Sequence, residues 1–226
     1  MDRAAIWTTI HDERRALARD LDIITDEDWN RESWAHGWTI ADVVAHLVDS
    51  NRTSALGHLQ RILAARGDTD RVNQVGVERE RRFRHQDLLG AYRSTIPLKA
   101  SPAGDLRSRL VEEIAHGEDI RRALGIVRDY PLAATLPALQ YLAHTRSART
   151  GSAHRSAHTG SVRGGGKGLA RGLRLVASDA GLSHGRGPEV RGSALSLMVA
   201  LSGRRVHETE LSGPGRAALL ARITPR

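Results

Sequence analysis

His46, Glu112 and His116 are side chains whose types and spacing can hold a metal ion. Glu112 and His116 stand at i and i+4 in Glu112-Glu113-Ile114-Ala115-His116-Gly117-Glu118-Asp119, so on a helix they share one face a turn apart. A carboxylate and an imidazole so placed can share a divalent ion, and zinc accepts both at about 2.0–2.2 Å. Each alone has a plainer reading: such spacing often gives a surface Glu–His pair, and a lone helix histidine is more often a surface or satisfied core residue. Together they supply three ligands from two helices and leave a position open to water or substrate, as catalytic zinc requires. Asp42, one turn before His46, and Asp119, three residues after His116, are candidates to orient an imidazole N–H. A helix N-terminal charge and a surface acid are equally open readings of those two.

These residues need helices to carry them. Residues 3–22 have Ile6, Ile10, Leu17 and Leu21 near helical spacing. Thr39 with Asp42 three residues on reads as an N-cap for a helix over about 40–65, which carries His46. Gly67-Asp68-Thr69-Asp70 breaks it. An Arg/Glu-rich helix over about 76–95 follows, and a fourth over about 105–124 carries Glu112 and His116 and stops at Gly125. Four helices with connections of ordinary length read as a bundle. Beyond it, residues 132–146 read as one more helix, and 147–171 as a Gly/Ser/His/Arg tract without periodicity. Strand-like 173–177 and 189–191 with helices over 192–203 and 214–223 fit a small α/β unit. The expected class is α+β, mainly α, in three parts: a bundle over 1–125, a connecting helix and basic linker over 126–171, and a small α/β domain over 172–226.

Charge follows the same division. Residues 1–125 carry 19 basic and 21 acidic side chains, whereas 126–226 carry 15 and 5, within a chain of 226 residues and net charge +8. The basic half suggests nucleic acid, but no aromatic residue follows Tyr141, so it offers no base-stacking platform. There is no cysteine, which excludes disulfides, thiolate ligands and a cysteine nucleophile. Any thiol chemistry must use a borrowed thiol. No apolar run is long enough to span a membrane and no secretory leader is evident at the N-terminus, so a cytoplasmic location is expected.

The block Trp7…Glu13-Arg14…Leu17…Leu21…Trp29…Ser33…Gly37-Trp38-Thr39-Ile40…Asp42-Val43-Val44-Ala45-His46-Leu47 resembles the mycothiol-dependent maleylpyruvate isomerase family, within the DinB-like bundle superfamily. Glu112…His116-Gly117…Asp119-Ile120-Arg121-Arg122…Leu124-Gly125 is similar to that family's second metal motif. Gly172 to Asp179, Gly187 to Gly192 and Gly203-Arg204 resemble the C-terminal, sterol-carrier-like domain found on many such proteins. The tract 144–170 departs from the pattern by its length and its His/Arg/Gly/Ser composition.

The resemblance implies a divalent metal, usually zinc, on His46, Glu112 and His116, with mycothiol, the small thiol of actinobacteria, as cosubstrate. It implies a metal-bound thiol, rather than a protein nucleophile, as the reacting group. The thiolate adds to an activated C=C bond, and rotation followed by elimination gives cis–trans isomerisation. With a leaving group, the same site performs S-transfer. A cation is then expected to hold an acidic substrate, and Arg79, Arg82, Arg121, Arg122 and Arg204 are the candidates. The rival reading is a non-catalytic metal- or ligand-binding protein of the same fold.

Overall fold

The computed structural model describes residues 1–82, 85–101, 104–145 and 165–223. Most of the basic tract, with His154 and His158, lies outside the described residues. The described chain divides into two units, Met1–Arg128 and Asp129 onward.

The first unit runs α1 (Arg3–Asp22), α2 (Asp26–Trp29), α3 (Ile40–Arg52), α4 (Ala55–Ala64), α5 (Thr69–Glu80), α6 (His85–Thr95) and α7 (Arg107–Leu124). The apolar stripe of α1 is buried through Ile6, Ile10, Leu17 and Leu21. That face packs on α6 and α7. Helix α3 is central: it packs against α5, α6 and α7, and Ile40, Ala41, Val43, Val44, Ala45 and Leu47 are all fully enclosed. Trp29 and Trp38 close the same core near the start of α3.

Two expected helices are each two. The helix expected over 40–65 breaks at Thr53-Ser54. The Thr53 hydroxyl donates back to the Asp49 carbonyl at 2.6 Å, and Ser54 Oγ accepts from the Gly57 N–H to start α4. Short polar side chains compete here with the helical ladder. The helix expected over 76–95 starts earlier, at Thr69, because Asp68 caps it by accepting from the Arg71 N–H. It ends at Glu80, and α6 begins at His85. Gly125 ends α7 as expected, at φ 70° in the left-handed region, with its N–H on the carbonyls of the last turn.

Helix α5 meets α3 at Gly76, where a Cβ would collide with Asp49 Oδ2. Asp49 cannot move aside freely, since Arg61 donates to both its oxygens and Arg79 holds Oδ1. Gly76→Ala is therefore expected to destabilise the protein, by on the order of 1 kcal/mol after overpacking is set against the higher helix propensity of alanine. At Gly90 on α6 nothing lies within 4 Å of the added methyl. Gly90→Ala is expected to stabilise by up to about 1 kcal/mol. Urea unfolding of the two proteins checks the opposite signs.

The second unit contains α8 (Leu132–His144), α9 (Gly165–Leu169), β1 (Arg174–Ala177), β2 (Leu182–Gly185), β3 (Glu189–Gly192), α10 (Ala194–Leu201), β4 (Leu211–Ser212) and α11 (Arg216–Ile223). Its sheet has the order β2-β1-β3-β4. The pair β1–β3 is parallel, and the outer pairs are antiparallel. Helix α10, buried from Ser196 to Leu201, packs on α8, β1 and β3. The helix expected to be a connector, α8, is thus part of this unit's core: Ala134, Ala138 and Leu139 are fully buried. The whole is mainly helical with a small mixed α/β part, the class expected from sequence. No helix among the described residues is long and apolar enough to cross a membrane.

Candidate metal centre

Helix α3 is set in place by its first turn. Thr39 Oγ1 accepts from the Asp42 N–H at 3.2 Å, and the Thr39 N–H donates to Asp42 Oδ2 at 2.9 Å. This reciprocal cap corrects one expectation. The Asp42 carboxylate is spent on the helix start and on Arg81, whose Nε lies 2.8 Å from Oδ1, rather than on the His46 imidazole.

Two turns into α3, His46 meets α7. Its Nε2 is 3.2 Å from Glu112 Oε1, and the imidazole rings of His46 and His116 lie 4.8 Å apart, nearly edge to face. One ligand atom from each of His46, Glu112 and His116 lies within 4.8 Å of the others. Trp38 covers both rings, at 5.1 Å from His46 and 6.2 Å from His116. The two histidines are buried and Glu112 is half-buried. Two imidazoles and one carboxylate, converging from two helices, fit a divalent ion of the zinc class.

Asp119 meets His116 on the same helix. Its Oδ2 lies 3.0 Å from His116 Nδ1, and both side chains are buried. A carboxylate at that distance is placed to hold the orientation of the imidazole through Nδ1. Asp119→Asn is expected to weaken metal affinity by about 10- to 100-fold. Chelator competition against the unaltered protein measures it.

Sequence reasoning missed Ser50 and Arg109. Ser50 Oγ donates to Glu112 Oε1 at 2.7 Å, and Arg109 Nη1 donates to Oε2 at 2.7 Å. Spacing carried a faint signal, since Ser50 is i+4 from His46 and Arg109 is i−3 from Glu112, each on the ligand's own face. Burial raises the Glu112 pKa. The Arg109 guanidinium, the hydrogen bond from His46 and the nearby His116 outweigh it and hold the carboxyl well below its ordinary range.

The expected substrate cations are mostly engaged elsewhere. Arg79 pairs with Asp49 and Glu80. Arg121 is buried on Asp20 at 2.7 Å, and Arg122 pairs with Glu118 at 2.8 Å while covering the Trp34 ring. Arg121 is 1% exposed, so its guanidinium sits inside the bundle. Arg82 is exposed. Arg204 lies in the second unit, just after α10, with Nη1 donating to Ser202 Oγ at 3.3 Å.

Residues 10–211 match the family described as "Mycothiol maleylpyruvate isomerase N-terminal domain". No curated protein sequence gives a match. The crystal structure of the mycothiol-dependent maleylpyruvate isomerase is similar to this chain with a TM-score of 0.63 at 14% identity, covering 95% of this chain and 93% of that one. A histidine-to-alanine mutant of that enzyme is similar at a TM-score of 0.62 and 13% identity, with the same coverage. At such identity the likeness of structures speaks for the fold, while the family match spans most of the sequence: the chain belongs to the mycothiol maleylpyruvate isomerase N-terminal domain family.

Proposed function

We propose that this protein is a mycothiol-dependent cis–trans isomerase of the maleylpyruvate type, working with a divalent ion, zinc by preference, held by His46, Glu112 and His116. The observation that carries this is the convergence of those three donors under Trp38, with Asp119 orienting His116. Bound there, such an ion would lower the pKa of a thiol brought to it. The chain has no cysteine of its own, so that thiol is the cosubstrate.

The residues then act as a frame. Asp119 keeps the His116 Nδ1 proton in place, and Trp38 packs an apolar wall over both imidazoles, limiting water at the ligand nitrogens. The cosubstrate thiolate adds to the activated C=C bond, forming a C–S bond and moving the π electrons onto the conjugated carbonyl. Rotation about the new single bond follows. Collapse of the enolate re-forms C=C in the trans arrangement and expels the thiolate.

Turnover of a cis-configured, carbonyl-conjugated diacid by the purified protein, with and without mycothiol, tests the reading. The expected result is isomerisation that needs both the thiol and the metal. A protein holding one metal per chain that accelerates neither isomerisation nor S-transfer with any of several electrophiles contradicts it and favours a binding protein.

A further inference from the structure

Arg109 and Ser50 surround Glu112 in a closed set of bonds. One Nη1 proton of Arg109 goes to Glu112 Oε2 and the other to Ser50 Oγ, each at 2.7 Å. Ser50 passes its hydroxyl proton to Glu112 Oε1 at 2.7 Å. The donors and acceptors balance: every proton in the ring has one acceptor.

The guanidinium is itself fixed. It is 1% exposed, its Nη2 donates to Asn51 Oδ1, and it lies 3.5 Å from Glu113 Oε1. Arg14 holds both of those partners, donating to Asn51 Oδ1 at 2.8 Å and to Glu113 Oε1 at 2.8 Å. Arg109 cannot swing away from Glu112 without opening buried polar contacts.

We propose that Arg109 and Ser50 are positioning residues that make Glu112 a one-oxygen metal ligand. With Oε2 bound by a cation, the oxygen turned toward the histidines is Oε1, 3.2 Å from His46 Nε2. A charge-assisted bond is roughly twice as strong as a neutral one, which is enough to select one carboxylate orientation over chelation through both oxygens. The Arg109 charge also offsets that of Glu112, so this carboxylate ligand adds little net negative charge and more of an ion's charge is left to act on an incoming thiol. The inference rests on the trio binding an ion as proposed above.

The test uses the full chain, with zinc and cobalt(II) as probes and no turnover assay. Ser50→Ala is expected to weaken zinc about 10-fold in chelator competition. Its metal-free unfolding midpoint should stay near that of the unaltered protein. Cobalt(II) loaded into Ser50→Ala or Arg109→Met protein should show weaker visible bands, as a second carboxylate oxygen raises coordination above four. Arg109→Lys should restore part of the zinc affinity lost in Arg109→Met. If Arg109→Met does not fold, Ser50→Ala and Arg109→Lys decide. Unchanged zinc affinity with unchanged cobalt spectra in these folded variants overturns the positioning role. Failure of the unaltered protein to bind either ion overturns the metal reading itself, and the inference with it.

Discussion

His116→Ala protein is expected to leave dialysis with essentially no bound metal and to show no thiol-dependent isomerisation above background. The unaltered chain is expected to retain about one divalent ion. The size of the effect follows from the geometry. His46, Glu112 and His116 offer three donor atoms within 4.8 Å, so removing one leaves two ligands, too few to hold zinc against water. The affinity loss should exceed the roughly 100-fold that removing an outer partner such as Asp119 can cause. A second consequence separates chemistry from folding. Asp119 loses its imidazole partner in a buried setting, which costs roughly 1–3 kcal/mol and lowers the melting temperature modestly. His116→Ala should therefore melt lower than the unaltered metal-free protein yet still unfold cooperatively. His46→Ala removes a ligand whose carboxylate neighbour, Glu112, is half-buried and keeps its bonds from Ser50 and Arg109, so it should lose metal with a smaller loss of metal-free stability. Elemental analysis after dialysis, beside thermal unfolding of the metal-free proteins, reads both effects. Full metal occupancy in both variants would mean that the ion sits elsewhere.

The candidate ligand trio was legible in sequence because its members obey helical geometry. Glu112 and His116 are one turn apart on one helix, and His46 lies on a segment with its own cap signal. What spacing cannot supply is the contact between helices. Nothing in the sequence says that the caps of α3 place His46 Nε2 opposite Glu112 rather than a turn above it. Asp42 shows the converse error: position i−4 from His46 puts it on the right face, but a helix-start carboxylate has a nearer partner in its own cap. Arg109 and Ser50 were missed for a related reason. A buried arginine looks like any other arginine until its partners are known, and the first unit is crowded with surface ones. The helix count failed because local side-chain hydrogen bonds, not apolar periodicity, end α3 at Thr53, start α4 at Ser54 and start α5 at Asp68. The place of α8 was hidden because its buried face meets α10, some sixty residues later in the chain.

Arg14→Met is expected to be the most destabilising single change away from the ligands. Arg14 is fully buried on α1 and its guanidinium ties four segments together. Nε donates to Glu113 of α7 at 2.8 Å and Nη2 to Asn51 of α3 at 2.8 Å. Nη1 donates to the carbonyls of Thr95 and Leu98 at 3.0 and 2.9 Å. Methionine fills a similar volume but satisfies none of these acceptors. Two carbonyls lose a donor, and Glu113, 1% exposed at its side chain, is left among the described residues with the longer Arg109 contact. Breaking a buried pair by removing one partner costs about 3–5 kcal/mol, a large share of a typical stability of about 5–15 kcal/mol. For a chain of this size the melting temperature should fall by on the order of 10 °C. Arg15 on the same helix is the control: its pair with Asp12 is half-exposed, so Arg15→Met should change stability by no more than about 0.5 kcal/mol. Because Arg14 also anchors Asn51 and Glu113, which in turn seat Arg109, the cost should not stop at folding. At a temperature where Arg14→Met protein is still folded, its zinc affinity should fall as well, although Arg14 touches no ligand. Equal zinc affinity in that protein would show that the buried network stabilises the bundle without shaping the metal centre.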